Sequence, residues 1–533
     1  MTEKITNWTK SDDAKVEDAI RRGASRRDLL KLMLASGVAV TAGSAIFGRA
    51  SSAVAGTPVS GGHFKAAGLS SSNADTLDPA KASNGTDYVR CCSLYNRLTV
   101  IDGSGVPQME LAEKLESKDA KTWTVSLRKG VTYHDGKALT SDDVVFALNR
   151  HLDPSVGSKV AKIAAQFAEI KAVDPSTVEI VLEAANADLP FILALQHFMI
   201  VQDGTTDFSK GIGTGPFTLE TFEPGVRSIM KKNQNYWKPG LPHIDSFEFF
   251  AIGDDNARVN ALLAGDIHLA AAINPRSTKL VESQSGFELS KSTNGNYTNL
   301  NIRLDMNTPE FVTGMKYLIN RDQIISSALR GYGEIGNDQP ISPANVYHNA
   351  DLKPKEFDPD KAKHYFEKAG VLGQSIPVIT SDAAGNAVDM AMIVQAAGAD
   401  IGLNLDVQRV PSDGYWSKYW LKAPIHFGNI DPRPTPDIFF SLLYASNAPW
   451  NESQYKSPKF DKMLLEARGM LDQTKRHEIY NEMQTMISDD AGTIIPAYIT
   501  NADALSTKVK GLLTNPVAGM MGYSMAEHIW LES

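Results

Sequence analysis

The stretch Thr122–Pro154, TWTVSLRKGVTYHDGKALTSDDVVFALNRHLDP, constrains the fold more than any other part of the chain. Trp123, Val125 and Leu127 alternate with polar residues, which predicts a strand with one buried face. Arg128-Lys129-Gly130 breaks that strand, Val131 and Tyr133 resume it, and His134-Asp135-Gly136-Lys137 turns it again. Thr140 stands three residues before Asp143, the spacing of a capping box, and Ser141, Asp142 and Asp143 suit a helix N-terminus. Val144, Val145, Phe146 and Leu148 give that helix its buried side, and Asp153-Pro154 ends it. Later segments repeat the alternation. Tyr297–Leu304 reads as a strand, and Thr308-Pro309 opens a helix whose apolar stripe runs from Phe311 to Leu329. Pro377–Thr380, Ala387–Ile401 and Leu405–Arg409 follow as strand, helix and strand. Pro458–Arg468 and Gln473–Ser488 read as helices, and Thr493–Tyr498 as a late strand. Strands and helices in alternation predict a multi-lobed α/β protein.

The start of the chain reads differently. Ser25-Arg26-Arg27-Asp28-Leu29-Leu30-Lys31 resembles the twin-arginine export consensus, and Arg26 and Arg27 are its two arginines. Leu32–Phe47 is a mildly apolar run broken by Gly37, Thr41, Gly43 and Ser44, weaker than the roughly 20 strongly apolar residues of a membrane anchor. Ala53-Val54-Ala55 has the small-x-small form of a cleavage site, so residues 1–55 are expected to be a signal peptide cut after Ala55. The alternative is an amphipathic helix of a cytoplasmic protein. The whole chain carries a formal charge of −9 and the leader is net positive, so the remainder is more acidic still. That balance argues against a nucleic-acid binder. The only cysteines, Cys91 and Cys92, are adjacent and read as buried small apolar residues. Stability must then come from core burial, which a chain of this length can supply.

Several motifs look chemical and are not. Gly213-Thr214-Gly215-Pro216 lacks the last glycine of a dinucleotide loop. Gly130–Lys137 has five residues between its glycines, where a phosphate-binding loop has four, and Ala138 replaces the Ser/Thr that would hold magnesium. No nucleotide and no other cofactor is therefore expected. The 11 histidines form no H-x-H or H-x-x-x-H pair, although one histidine such as His426 could hold an already chelated metal. Neither G-x-S-x-G nor H-E-x-x-H occurs, so a periplasmic hydrolase is the weaker alternative and a non-enzyme the stronger one.

Taken together, the motifs resemble the solute-binding proteins of bacterial ABC importers, peptide/nickel-binding (family 5, extracellular) type. Trp123, Leu127, Arg128, Gly130 and Val131 match its strand, His134-Asp135-Gly136 its turn, and Leu139, Thr140, Asp143, Val144 and Ala147 its helix. Leu77-Asp78-Pro79, Pro107–Leu115, Gly213–Phe217, Asn233–Trp237, Leu241–Asp245 and Asn320–Asp322 match further family motifs. The resemblance implies a two-lobe periplasmic binding protein, a Venus flytrap of the large type. Residues 56–95, 221–294 and 493–533 would form the first lobe, 96–220 a subdomain inserted in it, and 295–492 the second lobe. It also implies a periplasmic monomer that delivers a small solute to an inner-membrane ABC permease with its ATPase subunits.

The ligand would sit near Phe427–Tyr444, where Pro432, Pro434 and Pro436 fix a loop before a helix expected over Asp437–Tyr444. The N–H groups at that helix start would favour an anion. In peptide-binding relatives an aspartate of this loop is expected to hold the ligand amine, and Asp431 is the nearest match. Arg433 could grip a carboxylate in bidentate fashion. The pair would suit a peptide, an amino-acid conjugate or an opine; a solvated turn with Asp437 as helix cap is the plain alternative. Tyr415, Trp416, Tyr419, Trp420 and Trp450 could wall the cleft or simply fill the lobe core, and Tyr88 and Asn84 could face it from the first lobe. Peptides lead the expected ligands; nickel chelates, opines and oligosaccharides are the alternatives.

Overall fold

A twelve-stranded sheet runs through both lobes, with ten strands along its main path and two short strands paired beside them. The computed structural model describes residues 58–69 and 72–532. The expected signal peptide, with Arg26, Arg27 and Ala55, lies outside the described residues. At one side of the sheet His63–Gly68 pairs in parallel with Ser246–Ala251, which continues through Arg227–Lys232 to Phe217–Glu223. At the other side Ser375–Thr380 pairs in parallel with Asn404–Arg409 and touches Ile425–Ile430. Two antiparallel strands, Phe287–Ile302 and Ala497–Ser506, occupy the centre and join the halves.

The central strand is sixteen residues long, so it starts ten residues before the expected Tyr297. Its first part, Phe287–Thr293, is half-exposed and polar, FELSKST, and carries no clear alternation for sequence reading to detect. Between Thr293 and Tyr297 the pairing with Ala497–Ser506 slips. Gly295 stands there at φ +96°, a backbone region that side-chain-bearing residues avoid. A Cβ at Gly295 would also lie 2.5 Å from Ser342 Oγ. Beyond this bulge the strand pairs with Ile425–Ile430 of the second lobe. The two strands that cross between lobes thus carry their irregularity at the crossing, where a hinge needs it.

A separate four-stranded antiparallel sheet, Ala112–Ser117, Thr122–Leu127, Thr177–Leu182 and Phe167–Asp174, lies beside the first lobe and shares its core. Trp123, Val125 and Leu127 are buried as the alternation predicts. The capping-box helix covers Ser141–Asn149, and the Thr140 N–H donates to Asp143 Oδ2 at 2.7 Å. Val131 and Tyr133 are buried but form no second strand. Only an isolated bridge, Thr132 to Ala138, is made, and the neighbouring His134 N–H bonds to Gly213 O instead.

The family motifs interlock around this region. His134 accepts from the Gly213 N–H through Nδ1 at 3.2 Å, so its Nε2–H donates to Gly215 O at 3.1 Å. Burial holds the His134 pKa below its usual range, which keeps this neutral tautomer. Gly213 and Gly215 press on the Leu94 backbone so closely that a Cβ at either would overlap it. Trp237 donates to Asn96 at 3.1 Å and Asn233 to Gly215 O at 3.0 Å. Asp78 of the Leu-Asp-Pro motif receives both arms of Arg150 at 2.8 and 2.9 Å. These contacts tie the motifs into the first lobe. Cys91 and Cys92 are buried free thiols on the helix Gly85–Leu94.

The second lobe departs from expectation at one helix. The stripe from Phe311 to Leu329 is not continuous, because Pro309–Leu318 stops at Ile319 and Asn320 starts a new turn by accepting from the Gln323 N–H. Arg321 Nη2 then donates to both carboxylate oxygens of buried Asp338 at 2.9 and 2.8 Å, and its Nη1 to Lys355 O at 2.6 Å. An Asn side chain that competes for backbone N–H groups is a general reason for such a break.

Candidate functional site

A cavity of about 610 Å³ lies at the crossing, with walls from both lobes, the inserted subdomain and the two central strands. Asn84, Tyr88 and Tyr523 come from the first lobe, and Asn294, Asn296, Asn501 and Asp503 from the crossing strands. Asp431, Arg433 and Phe439 come from the second lobe, and Phe191 and Gln196 from the insert.

Arg433 sits in the proline loop that links the strand Ile425–Ile430 to the helix Pro436–Leu443. Its Nη1 donates to the carbonyls of Asp431 and Pro432 at 2.9 and 3.2 Å. The guanidinium lies 5.7 Å from the Trp450 ring centroid. No carboxylate oxygen among the described residues lies within 4.0 Å of it. Burial lowers its pKa from the ordinary arginine value, and the charge of Asp431 on the same loop offsets this only in part. Asp431 is exposed at the cavity edge.

The expected aromatic wall has a different role. Tyr415 is fully buried and its hydroxyl donates to Phe427 O at 2.6 Å, so it belongs to the second-lobe core and not to the cleft. Trp416 is 41% exposed and does not line the cavity. From Tyr415 the rings run edge to face through Trp416 at 5.2 Å, Trp420 at 5.5 Å and Trp450 at 5.6 Å. The last of them underlies Arg433. Trp450 therefore supports a cavity residue without lining the cavity itself.

Other expectations are met only in position. Tyr88 lines the cavity, half-buried, with its ring 5.2 Å from Tyr523 and 5.4 Å from His197. Asn84 also lines it, but its side chain is committed to the helix Gly85–Leu94, accepting from Thr86 and Asp87 N–H groups. The helix after the proline loop is Pro436–Leu443, and Thr435, not Asp437, caps it. Asp437 instead pairs with Arg468 at 2.9 Å, and burial raises its carboxyl to about 6. An acid already occupies that helix start, so it is not a free anion site. His426 is buried on the strand Ile425–Ile430, its Nδ1 bonded to Ala423 O at 3.0 Å and its Nε2 taking the Leu421 N–H at 3.4 Å. Burial lowers its pKa to about 4, and neither nitrogen reaches the cavity.

Sequence reasoning missed Asp503 and Tyr523. Asp503 accepts the N–H groups of Ala272 and Met520, each at 2.8 Å. Both donors have left-handed backbone, φ +47° and +52°, as do Met521 and Tyr523. Burial raises the Asp503 pKa while these two bonds lower it. A single aspartate thus holds two strained segments of the cavity wall. No sequence motif marks it.

The family described as "Bacterial extracellular solute-binding proteins, family 5 Middle" matches residues 106–452. The chain belongs to that family. This solute-binding protein is 28% identical over 489 residues to the dipeptide-binding protein of Escherichia coli (strain K12), across 83% of this chain and 90% of the relative. It is 27% identical over 472 residues to the glutathione-binding protein of the same strain, across 84% of this chain and 91% of the relative. The periplasmic binding protein DppA of Helicobacter pylori, solved with the peptide STSA, shares the fold. Its TM-score is 0.70 and its identity 24%, covering 89% of this chain and 99% of that one. The two-lobe architecture is therefore that of the family. No described helix of the solute-binding protein is long and apolar enough to cross a membrane.

Proposed function

We propose that this solute-binding protein captures a short peptide, or a small zwitterion of similar chemistry, in the inter-lobe cavity. It then delivers the solute, as a monomer in the periplasm, to an inner-membrane ABC permease driven by its ATPase subunits. The twin-arginine motif would supply the export route. The observation that carries the ligand reading is Arg433: a cation on the cavity wall, aligned by two backbone carbonyls, backed by Trp450 and paired with no described carboxylate. A ligand carboxylate completes it. Asp431, on the same loop, lies at the cavity edge for a ligand ammonium. The dipeptide-binding relative and the peptide-bound structural neighbour support this class.

The test is calorimetry with di- to pentapeptides, followed by the best binder against Arg433→Ala. A hydrogen bond to a charged group contributes about 1.5–3 kcal/mol, so the variant is expected to bind about tenfold to a hundredfold more weakly. The same peptide with an amidated C-terminus should lose affinity against the parent protein and show little further loss against the variant. Equal loss in both proteins would remove Arg433 from the ligand contact.

A further inference from the structure

Among the described residues, one buried ion pair joins the inserted subdomain to the second lobe. Asp188 Oδ1 lies 2.7 Å from Arg476 Nη1, with the two side chains 1% and 0% exposed. Asp188 precedes the short helix Leu189–Ile192; Leu189 and Ile192 belong to the first-lobe core, while Phe191 packs across against the second-lobe core. Arg476 belongs to the helix Gln473–Asp490, whose apolar residues belong to a second-lobe core. Around the pair, the Ala187 N–H donates to Arg468 O at 2.8 Å, and the rings of Phe191 and Tyr347 lie 6.4 Å apart.

The two partners are unequally provided for. Arg476 is satisfied within its own lobe: Nε donates to Ala467 O at 2.9 Å, Nη1 to Tyr347 Oη at 3.0 Å and Nη2 to Tyr480 Oη at 3.1 Å. The rings of Tyr347 and Tyr480 flank its guanidinium at 5.4 and 5.2 Å. Asp188 has no such support, and neither of its carboxylate oxygens makes an aligned hydrogen bond. When the bodies part, Arg476 keeps its bonds and Asp188 regains water; when they meet, Asp188 loses water and gains only Arg476. That asymmetry suits a contact that forms and breaks, because separation strands neither charge.

We propose that Asp188 and Arg476 form a closure latch, remote from the ligand, that sets how firmly the inserted subdomain and the second lobe shut over the cavity. The pair acts as a positioning element for binding and touches no ligand. The proposal rests on the two-lobe fold and stands whether or not the ligand is a peptide.

The Ala187 amide reports the latch directly, because its hydrogen bond crosses the same interface. The experiment is hydrogen exchange on the full chain without added ligand, comparing the parent with Asp188→Asn and Asp188→Ala. Exchange at Ala187 is expected to speed up at least tenfold in both variants. The amides of Val125 and Ile180, inside the four-stranded sheet, should keep their protection. Unchanged exchange at Ala187 would overturn the proposal. Equal acceleration at Val125 and Ile180 would also overturn it, since the pair would then hold the subdomain's fold and not the closure. Small-angle scattering gives a second readout: the variants should have a larger radius of gyration than the parent, and an equal radius would count against the latch.

Discussion

Glu452→Gln tests the electrostatics behind the cleft. Glu452 is 2% exposed in the second lobe, where Trp420 Nε1 donates to Oε1 at 2.6 Å and Asn299 Nδ2 to Oε2 at 2.7 Å. No described cation lies within 4.0 Å of it. Two neutral donors do not offset the lost hydration of a carboxylate, and burial raises its pKa from 4.5 to about 7. A carboxyl with a raised folded-state pKa binds its proton more tightly in the native state. Its favourable contribution is therefore complete below pH 4.5 and is lost as pH rises to about 7 and beyond. The difference between those two values corresponds to about 3 kcal/mol. Glutamine keeps the shape and removes the titration. Its amide also places a donor toward Asn299, at a cost of about 1 kcal/mol unless the Asn299 amide turns over. Urea unfolding followed at about pH 5 and about pH 8.5 should show the parent losing stability between them and the variant losing about 3 kcal/mol less. At about pH 8.5 the variant should be the more stable protein, by about 2 kcal/mol. Parallel pH profiles would refute the reasoning, because they would mean that Glu452 titrates normally and is hydrated.

Other outcomes follow from single contacts. Tyr415→Phe should cost about 1 kcal/mol of stability through loss of the Phe427 O bond, and calorimetry with the best peptide should show unchanged affinity. Changed affinity would return Tyr415 to the ligand. Gly215→Ala should destabilise the first lobe by about 1–3 kcal/mol or more, since its Cβ would overlap the Leu94 backbone; a urea midpoint equal to the parent's would contradict that packing. Gly295→Ala combines a left-handed φ with a Cβ 2.5 Å from Ser342 Oγ, and should cost at least about 1 kcal/mol in thermal unfolding.

The fold was legible wherever a periodic pattern met a cap or a breaker. The strand Thr122–Leu127 and the helix Ser141–Asn149 follow from alternation and from the Thr140–Asp143 spacing. The helices Pro458–Gly469 and Gln473–Asp490 fall within two residues of expectation. The first part of the central strand was hidden because its polar faces look out to solvent, and the break at Asn320 because side-chain capping leaves no mark on hydrophobic spacing. The site was less legible for a physical reason. Its walls come from segments far apart in the chain, so the meeting of Tyr88, Asp431, Asp503 and Tyr523 is a property of the closed topology. Proline spacing led to the loop of Arg433, but no pattern separated Tyr415, which fills a core, from Phe439, which lines the cavity.

The ring ladder from Tyr415 to Trp450, with Arg433 at its end, has a consequence for how such a receptor changes its cargo. The loop, the strand before it and the supporting rings all come from one continuous piece of chain, residues 415–450, while the hinge strands and the Asp188–Arg476 pair lie outside it. The loop of Arg433 and its ring support thus form one local unit, whereas the crossing strands, which also line the cavity through Asn294, Asn296, Asn501 and Asp503, come from elsewhere in the chain. A transplanted 415–450 segment would carry the Arg433 loop together with its supporting rings into a relative as one piece, while the recipient's own strands would supply the rest of the cavity wall.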